Sequence, residues 1–296
     1  MPVELCLGSA QFGLNYGITN NSGQVSEDIA QSIIQQSIQH GIRWIDTAQM
    51  YGNAEEVLGR LLPREVGYRI VSKLAPQSQP FFTSDDITVW DKLIVNSCLR
   101  LGVKSLDTLL LHSPSDLLKP GCKYLQSWLL GLRDKGLVNR IGLSIYEASD
   151  LCGLPVSLFD VIQIPISLFD QRLLSDGTIY RLKDQGLSLH ARSIYLQGLL
   201  LTTSDSWPDW IDSDIRLHQS KLENLSIAKD CRLIDLALGF IRELDVLDLA
   251  IVGICNAEQL KQLTLSWNSP SPWTANECNS WALTNTQLLD PRCWPR

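Results

Sequence analysis

Short apolar runs alternate along the chain with longer stretches in which apolar residues recur every three or four positions. Residues 5–10, 43–47, 69–73, 107–111, 140–144, 161–164, 187–193 and 249–253 read as strands, because each is a brief apolar run bounded by turn-forming residues. A polar loop over residues 11–25 follows the first strand. Ser26-Glu27-Asp28 then opens a helix whose Ile29, Ile33, Ile34 and Ile38 form one stripe and which Gly41 ends. Residues 54–62 read as a short helix. Ser84 caps a further helix with Ile87, Trp90, Ile94 and Leu101 on one side, and in residues 121–135 Leu125, Trp128, Leu129 and Leu132 face inward. Eight such alternations in about 250 residues fit a closed (β/α)8 TIM barrel better than an open doubly wound sheet. No repeat, linker or low-complexity segment interrupts the pattern, so residues 1–296 form one domain. Residues 266–296 read as an irregular tail whose Trp267, Trp273, Trp281 and Trp294 pack on the barrel.

Composition narrows the function classes. Acidic residues outnumber basic ones 32 to 25, the net charge is −7, and no basic run stands out, which argues against nucleic acid as a partner. No apolar stretch reaches the roughly 18 residues of a membrane span, and Met1-Pro2-Val3-Glu4 lacks the layout of a signal peptide, so a cytoplasmic location is expected. The eight cysteines are scattered without CxxC spacing and the four histidines without metal spacing, a pattern of reduced thiols and no zinc. Neither GxGxxG nor GxxxxGK[ST] occurs, so a nucleotide would have to be held in another way.

A barrel builds its site at the C-terminal ends of its strands. Asp46 closes the second strand there, Tyr51 follows in the next loop, Lys73 closes the third strand and His112 the fourth. Singly, each has an ordinary reading as a turn former, a packed aromatic, a snorkelling cation and a loop histidine. Jointly, their chemistries interlock. A tyrosine acting as an acid near pH 7 needs a cation to lower its pKa, Lys73 can supply one, Asp46 can compensate that ammonium, and His112 can donate to a carbonyl oxygen.

With these residues in place the sequence resembles the aldo-keto reductases. The resemblance runs through Gly8-Ser9-Ala10, Trp44-Ile45-Asp46-Thr47-Ala48 with Tyr51-Gly52, Glu55 and Gly59, Val71-Ser72-Lys73, and Leu109-Leu110-Leu111-His112, and extends over essentially the whole chain. It implies an extended nicotinamide cofactor, NADP(H) with NAD(H) as the alternative, bound without a Rossmann domain. It further implies that Tyr51 protonates a carbonyl oxygen with help from Lys73, Asp46 and His112. Ser144 and Gln163 fall where the family holds the nicotinamide carboxamide, and Arg192 where many members stack an aromatic ring on the nicotinamide. Ser193 and Gly198 match a pyrophosphate loop, and Gly253, Cys255 and Gln259 match the adenosine-phosphate loop and helix start. Ile254 and Gln259 stand where well-known members carry Lys and Arg for the 2′-phosphate, although Gln at the second position is similar to the potassium-channel beta subunits of the family.

The resulting expectation is an oxidoreductase acting on a small carbonyl compound, as a monomer or small homo-oligomer. Two alternatives differ in class: a slow, cofactor-binding regulatory subunit, for which no added N-terminal partner segment is apparent, and a Schiff-base aldolase using Lys73, which leaves Tyr51 and Gln163 without roles. Asn15, Tyr16, Thr19, Asn20, Asn21 and Ser22 in the first long loop make the expected mouth polar and point to a polyhydroxylated carbonyl compound, unless they serve only to build turns.

Overall fold

Eight apolar runs become eight strands: Glu4–Gly8 (β1), Trp44–Asp46 (β2), Arg69–Leu74 (β3), Leu106–Leu111 (β4), Val138–Ser144 (β5), Val161–Pro165 (β6), Ser188–Arg192 (β7) and Leu249–Gly253 (β8). The computed structural model describes residues 2–274 and 277–295, so Met1 and residues 275, 276 and 296 of the expected tail lie outside the described residues. Neighbouring strands pair in parallel, and the sheet closes where Cys6 meets Ile251 and Gly8 meets Gly253. The expected (β/α)8 barrel is present.

Boundaries differ where a local interaction overrides the pattern. β1 stops at Gly8, and Ala10–Gly13 forms one helical turn with Phe12 fully buried, so the loop begins three residues into the expected one. In helix Glu27–Gln39 the inward side is Ala30, Ile33, Ile34 and Ser37, while Ile29 is exposed. The next long helix, Asp86–Leu101, starts after Ser84; its first residue accepts from the backbone N–H of Thr83 at 2.8 Å. Helix Cys122–Asp134 buries Leu125, Trp128, Leu129 and Leu132 as its spacing requires. Residues 257–268 are helical, so the tail starts at Ser269. There Trp273 donates to the Leu236 carbonyl at 2.8 Å, Trp281 packs on His218 and Trp294 on Trp210.

Side chains alternate inward and outward along each strand. Cys6, Trp44, Val71, Leu110, Val161, Leu249 and Ile251 form an apolar cluster of their own, separate from the larger core between strands and helices. His190 stands beside Trp44 with ring centroids 5.9 Å apart, fully buried, and neither ring nitrogen has a partner among the described residues. Burial foremost, with the positive charge of Arg140, holds its pKa down at about 3. A folded value below the unfolded one near 6.5 means that the contribution to stability is complete above pH 6.5 and is lost as pH falls toward 3. This ring alone should therefore make the protein ~2 kcal/mol less stable at pH 5 than at pH 7.5. Urea denaturation at both pH values, on wild type and His190→Leu, checks this: the variant should lose most of that difference, and an unchanged difference rejects the assignment.

Candidate active site

The barrel frame brings Asp46, Lys73, His112, Ser144, Gln163 and Arg192 to one mouth, where together with Tyr51 they line a cavity of about 770 Å³. Lys73 is nearly inaccessible and its ammonium donates to Asp46 Oδ1 at 2.6 Å and to the Thr47 carbonyl at 2.9 Å. Tyr51 Oη lies 3.4 Å from the same nitrogen. On the other carboxylate oxygen, Asp46 Oδ2 accepts from Gln163 Nε2 at 2.7 Å, and Gln163 Oε1 accepts from Ser144 Oγ at 3.3 Å. Five side chains from β2, β3, β5, β6 and the loop after β2 thus form one continuous chain.

Burial pulls the Lys73 pKa down, but Asp46 foremost, with Tyr51, pushes it up by more, so the group is a firmly held ammonium. For Tyr51, burial is the largest influence and raises the phenol above its usual value. The expected lowering by Lys73 is present, but burial and the negative charge of Asp46 outweigh it. That outcome corrects the expectation of a phenol tuned toward neutrality: the hydroxyl is a stored proton. His112, one residue past β4, extends the ladder by donating its backbone N–H to the Leu74 carbonyl at 3.1 Å. Its ring meets Tyr51 edge to face at 6.2 Å, and burial foremost, with Lys73 and Arg192, presses its pKa to about 3, so the imidazole is neutral.

Backbone packing places Tyr51. A Cβ on Gly13 would lie 1.8 Å from the Tyr51 carbonyl oxygen, and one on Gly52, at φ +54°, 2.2 Å from the Gly13 oxygen. The helical turn after β1 therefore presses directly on the turn carrying Tyr51, with no room for a side chain at either contact. Glu55 anchors the following helix, Ala54–Leu61, by accepting from Ser72 Oγ at 2.8 Å and from Arg100 Nε at 2.9 Å. Nothing in the sequence alone marked Gly13, because its partner is some forty residues away.

Beyond these groups the expected cofactor positions also converge on the cavity: Ser193, Gly198, Gly253, Cys255 and Gln259 all line it. Ser193, Leu196, Gln197 and Gly198 all have positive φ, a run that twists the segment after β7 back over the mouth. Gly198 lies so close to Thr19 that a Cβ would come 1.9 Å from its hydroxyl oxygen. At the far end, Asn256 caps helix Ala257–Asn268 by accepting from Gln259 N, and Gln259 Oε1 accepts from Cys255 N at 2.8 Å. Gln259 is thus partly engaged in folding its own loop. Ile254 is buried. Lys73 and Arg192, both at strand ends, are the only lysine or arginine lining the cavity among the described residues. Gln11 Oε1 and Ser9 Oγ, whose residues also line the cavity, are buried without a partner among the described residues. A cavity of this volume, with spare hydrogen-bonding groups and a helix N-terminus in its lining, fits a dinucleotide. All eight cysteines are free, and among the described residues no group of three metal-binding side chains occurs. No helix among them is long and apolar enough to cross a membrane.

A closed parallel barrel with ionisable side chains gathered at the C-terminal mouth defines a TIM-barrel protein with a candidate site on the strand ends. A family model described as the aldo/keto reductase family matches residues 4–281, and the chain belongs to that family. An aldo-keto reductase of Mycobacterium sp. (strain MCS) is 33% identical over 139 residues, 45% of either chain, and one of Mycolicibacterium smegmatis is 32% identical over 136 residues, 44% of either chain. The matched segment spans less than half the length of these curated relatives. Among solved structures, an aldo-keto reductase of Bacillus halodurans in its holo form superposes with a TM-score of 0.73 at 20% identity, covering 96% of this chain and 91% of that one. One of Klebsiella pneumoniae in complex with NADPH gives 0.68 at 18% identity, covering 94% and 89%.

Proposed function

We propose that the protein is an NADP(H)-dependent oxidoreductase that reduces an aldehyde or ketone to an alcohol, or runs the reverse reaction. The observation that carries this reading is the Tyr51–Lys73–Asp46 chain, with its 3.4 Å and 2.6 Å links, opening on a dinucleotide-sized cavity in a member of this family. When bound, a reduced nicotinamide supplies hydride to the carbonyl carbon. The chain's own part is to hold the carbonyl oxygen and protonate it. Tyr51 Oη gives the proton, Lys73 steadies the phenolate left behind, Asp46 holds Lys73, and neutral His112 donates a hydrogen bond to the same oxygen. Ser144 and Gln163 orient the carboxamide, while Arg192 lies against the ring. Ser193, Gly198, Gly253, Cys255 and Gln259 hold the phosphates and adenosine.

Fluorescence titration with NADPH and NADH in parallel, followed by turnover with a carbonyl panel, tests the reading. NADPH should bind more tightly, by less than about tenfold, because Ile254 and Gln259 bring no charge to the 2′-phosphate. A clear NADH preference, or no binding of either, rejects it.

For the substrate we favour a polyhydroxylated carbonyl compound, such as an aldose or a related sugar derivative. Asn20 is spent on its own loop, bonding the Tyr16 and Gly23 carbonyls, and Asn15 does not line the cavity, so the polar wall is smaller than the sequence implies. Asn21 and Ser22 remain on that wall with side chains that make no hydrogen bond among the described residues, beside Tyr16 and Thr19. In the panel, a preference of tenfold or more in kcat/KM for aromatic aldehydes over sugars, about 1.4 kcal/mol, overturns this choice. The acidic charge and free thiols suit a cytoplasmic protein that binds no nucleic acid and works as a monomer or small homo-oligomer.

A further inference from the structure

Tyr146 follows β5 by two residues, in the loop that leaves Ser144. Over its ring lie two guanidinium carbons: Cζ of Arg192 is 4.1 Å from the ring centroid and Cζ of Arg292 is 3.9 Å. Both guanidinium groups therefore pack against the one tyrosine ring. Arg192 ends β7 and lines the cavity, whereas Arg292 arrives from the C-terminal tail and is not part of the cavity wall.

The tail is firmly seated. Asp290, nearly buried, accepts from Arg292 Nε at 3.0 Å, from its terminal nitrogen at 2.6 Å and from its backbone N–H at 2.9 Å. Leu288 and Leu289 are buried, and the Trp294 indole donates to the Leu288 carbonyl at 2.8 Å. Arg192, by contrast, pairs with no carboxylate among the described residues. Its orientation depends on the Ile145 carbonyl at 2.8 Å, Ser193 Oγ at 3.2 Å and the Tyr146 ring.

We propose that Arg292 is a positioning residue for the cofactor site: by backing Tyr146 from outside the barrel, the C-terminal tail fixes Arg192 where it meets the nicotinamide. The proposal rests on the cofactor reading of the cavity. Without Arg292 the ring is free to turn, Arg192 spends less time in the binding geometry, and affinity falls by that fraction.

The test is a double-mutant cycle on the dissociation constant for NADPH, read by quenching of tryptophan fluorescence, with R292M, R192M and the double variant. R292M should weaken binding about three- to fivefold in the wild-type background and by less than about 1.5-fold in the R192M background. Equal factors in the two backgrounds, which is what general loosening of the tail gives, overturn the proposal. So does an unchanged constant in the wild-type background. If R292M does not fold, R292Q is carried through the same cycle with the same deciding outcomes. A wild-type protein that binds neither NADPH nor NADH overturns the cofactor reading itself, before any variant is compared.

Discussion

Tyr51→Phe is expected to lower turnover by about a hundredfold or more while leaving the dissociation constant for NADPH within about twofold. The substitution removes one oxygen and keeps the ring, so the edge-to-face contact with His112 and the packing of the Gly13 turn survive. What is lost is the only hydroxyl bonded to Lys73 among the described residues, at 3.4 Å. A carbonyl oxygen that gains negative charge without a proton donor must be carried by neutral His112 alone, which is too weak a partner to replace a transferred proton. Steady-state turnover paired with cofactor titration separates chemistry from binding. Equal turnover in variant and wild type removes Tyr51 from the mechanism.

Lys73→Met should be at least as damaging, and it should also destabilise the fold. Asp46 and Lys73 are both almost wholly buried, and the variant leaves the carboxylate with Gln163 as its remaining side-chain partner. Removing one partner of such a pair costs roughly 3–5 kcal/mol. Turnover and chemical denaturation measured together check both effects. Retained activity rejects the interlocked arrangement, and unchanged stability means that Asp46 finds compensation elsewhere.

Much of the barrel was legible because strand and helix periods are local properties. The strand β8 over Leu249–Gly253 and the inward face of helix Cys122–Asp134 follow from runs of adjacent residues, and the structure places them there. The mouth residues were legible for a related reason: each sits at or within a few residues of a strand end, so knowing the strands locates the side chains. Features created by distant segments meeting were not legible. Gly13 against Tyr51, Gly198 against Thr19 and Tyr146 against both Arg192 and Arg292 each join positions whose nearness exists only after the barrel closes. The contact from the Cys255 N–H to the Gln259 side chain belongs with these, since it is set by the loop's backbone. The direction of the Tyr51 shift was missed for a different reason: burial of the phenol is a property of the whole mouth, while the cation beside it is visible in the chain.

The side-chain chain at the mouth also has a polarity. Ser144 donates to Gln163, Gln163 donates to Asp46, and Lys73 donates to Asp46 from the other side, so every donor along the row is aimed at one carboxylate. A carboxamide does not pass protons along, and the arm through Gln163 and Ser144 is therefore insulated from proton traffic. Any proton that replaces one given up by Tyr51 has to come through Lys73 or directly from the cavity, and the arm of Asp46 that runs through Gln163 is a strut.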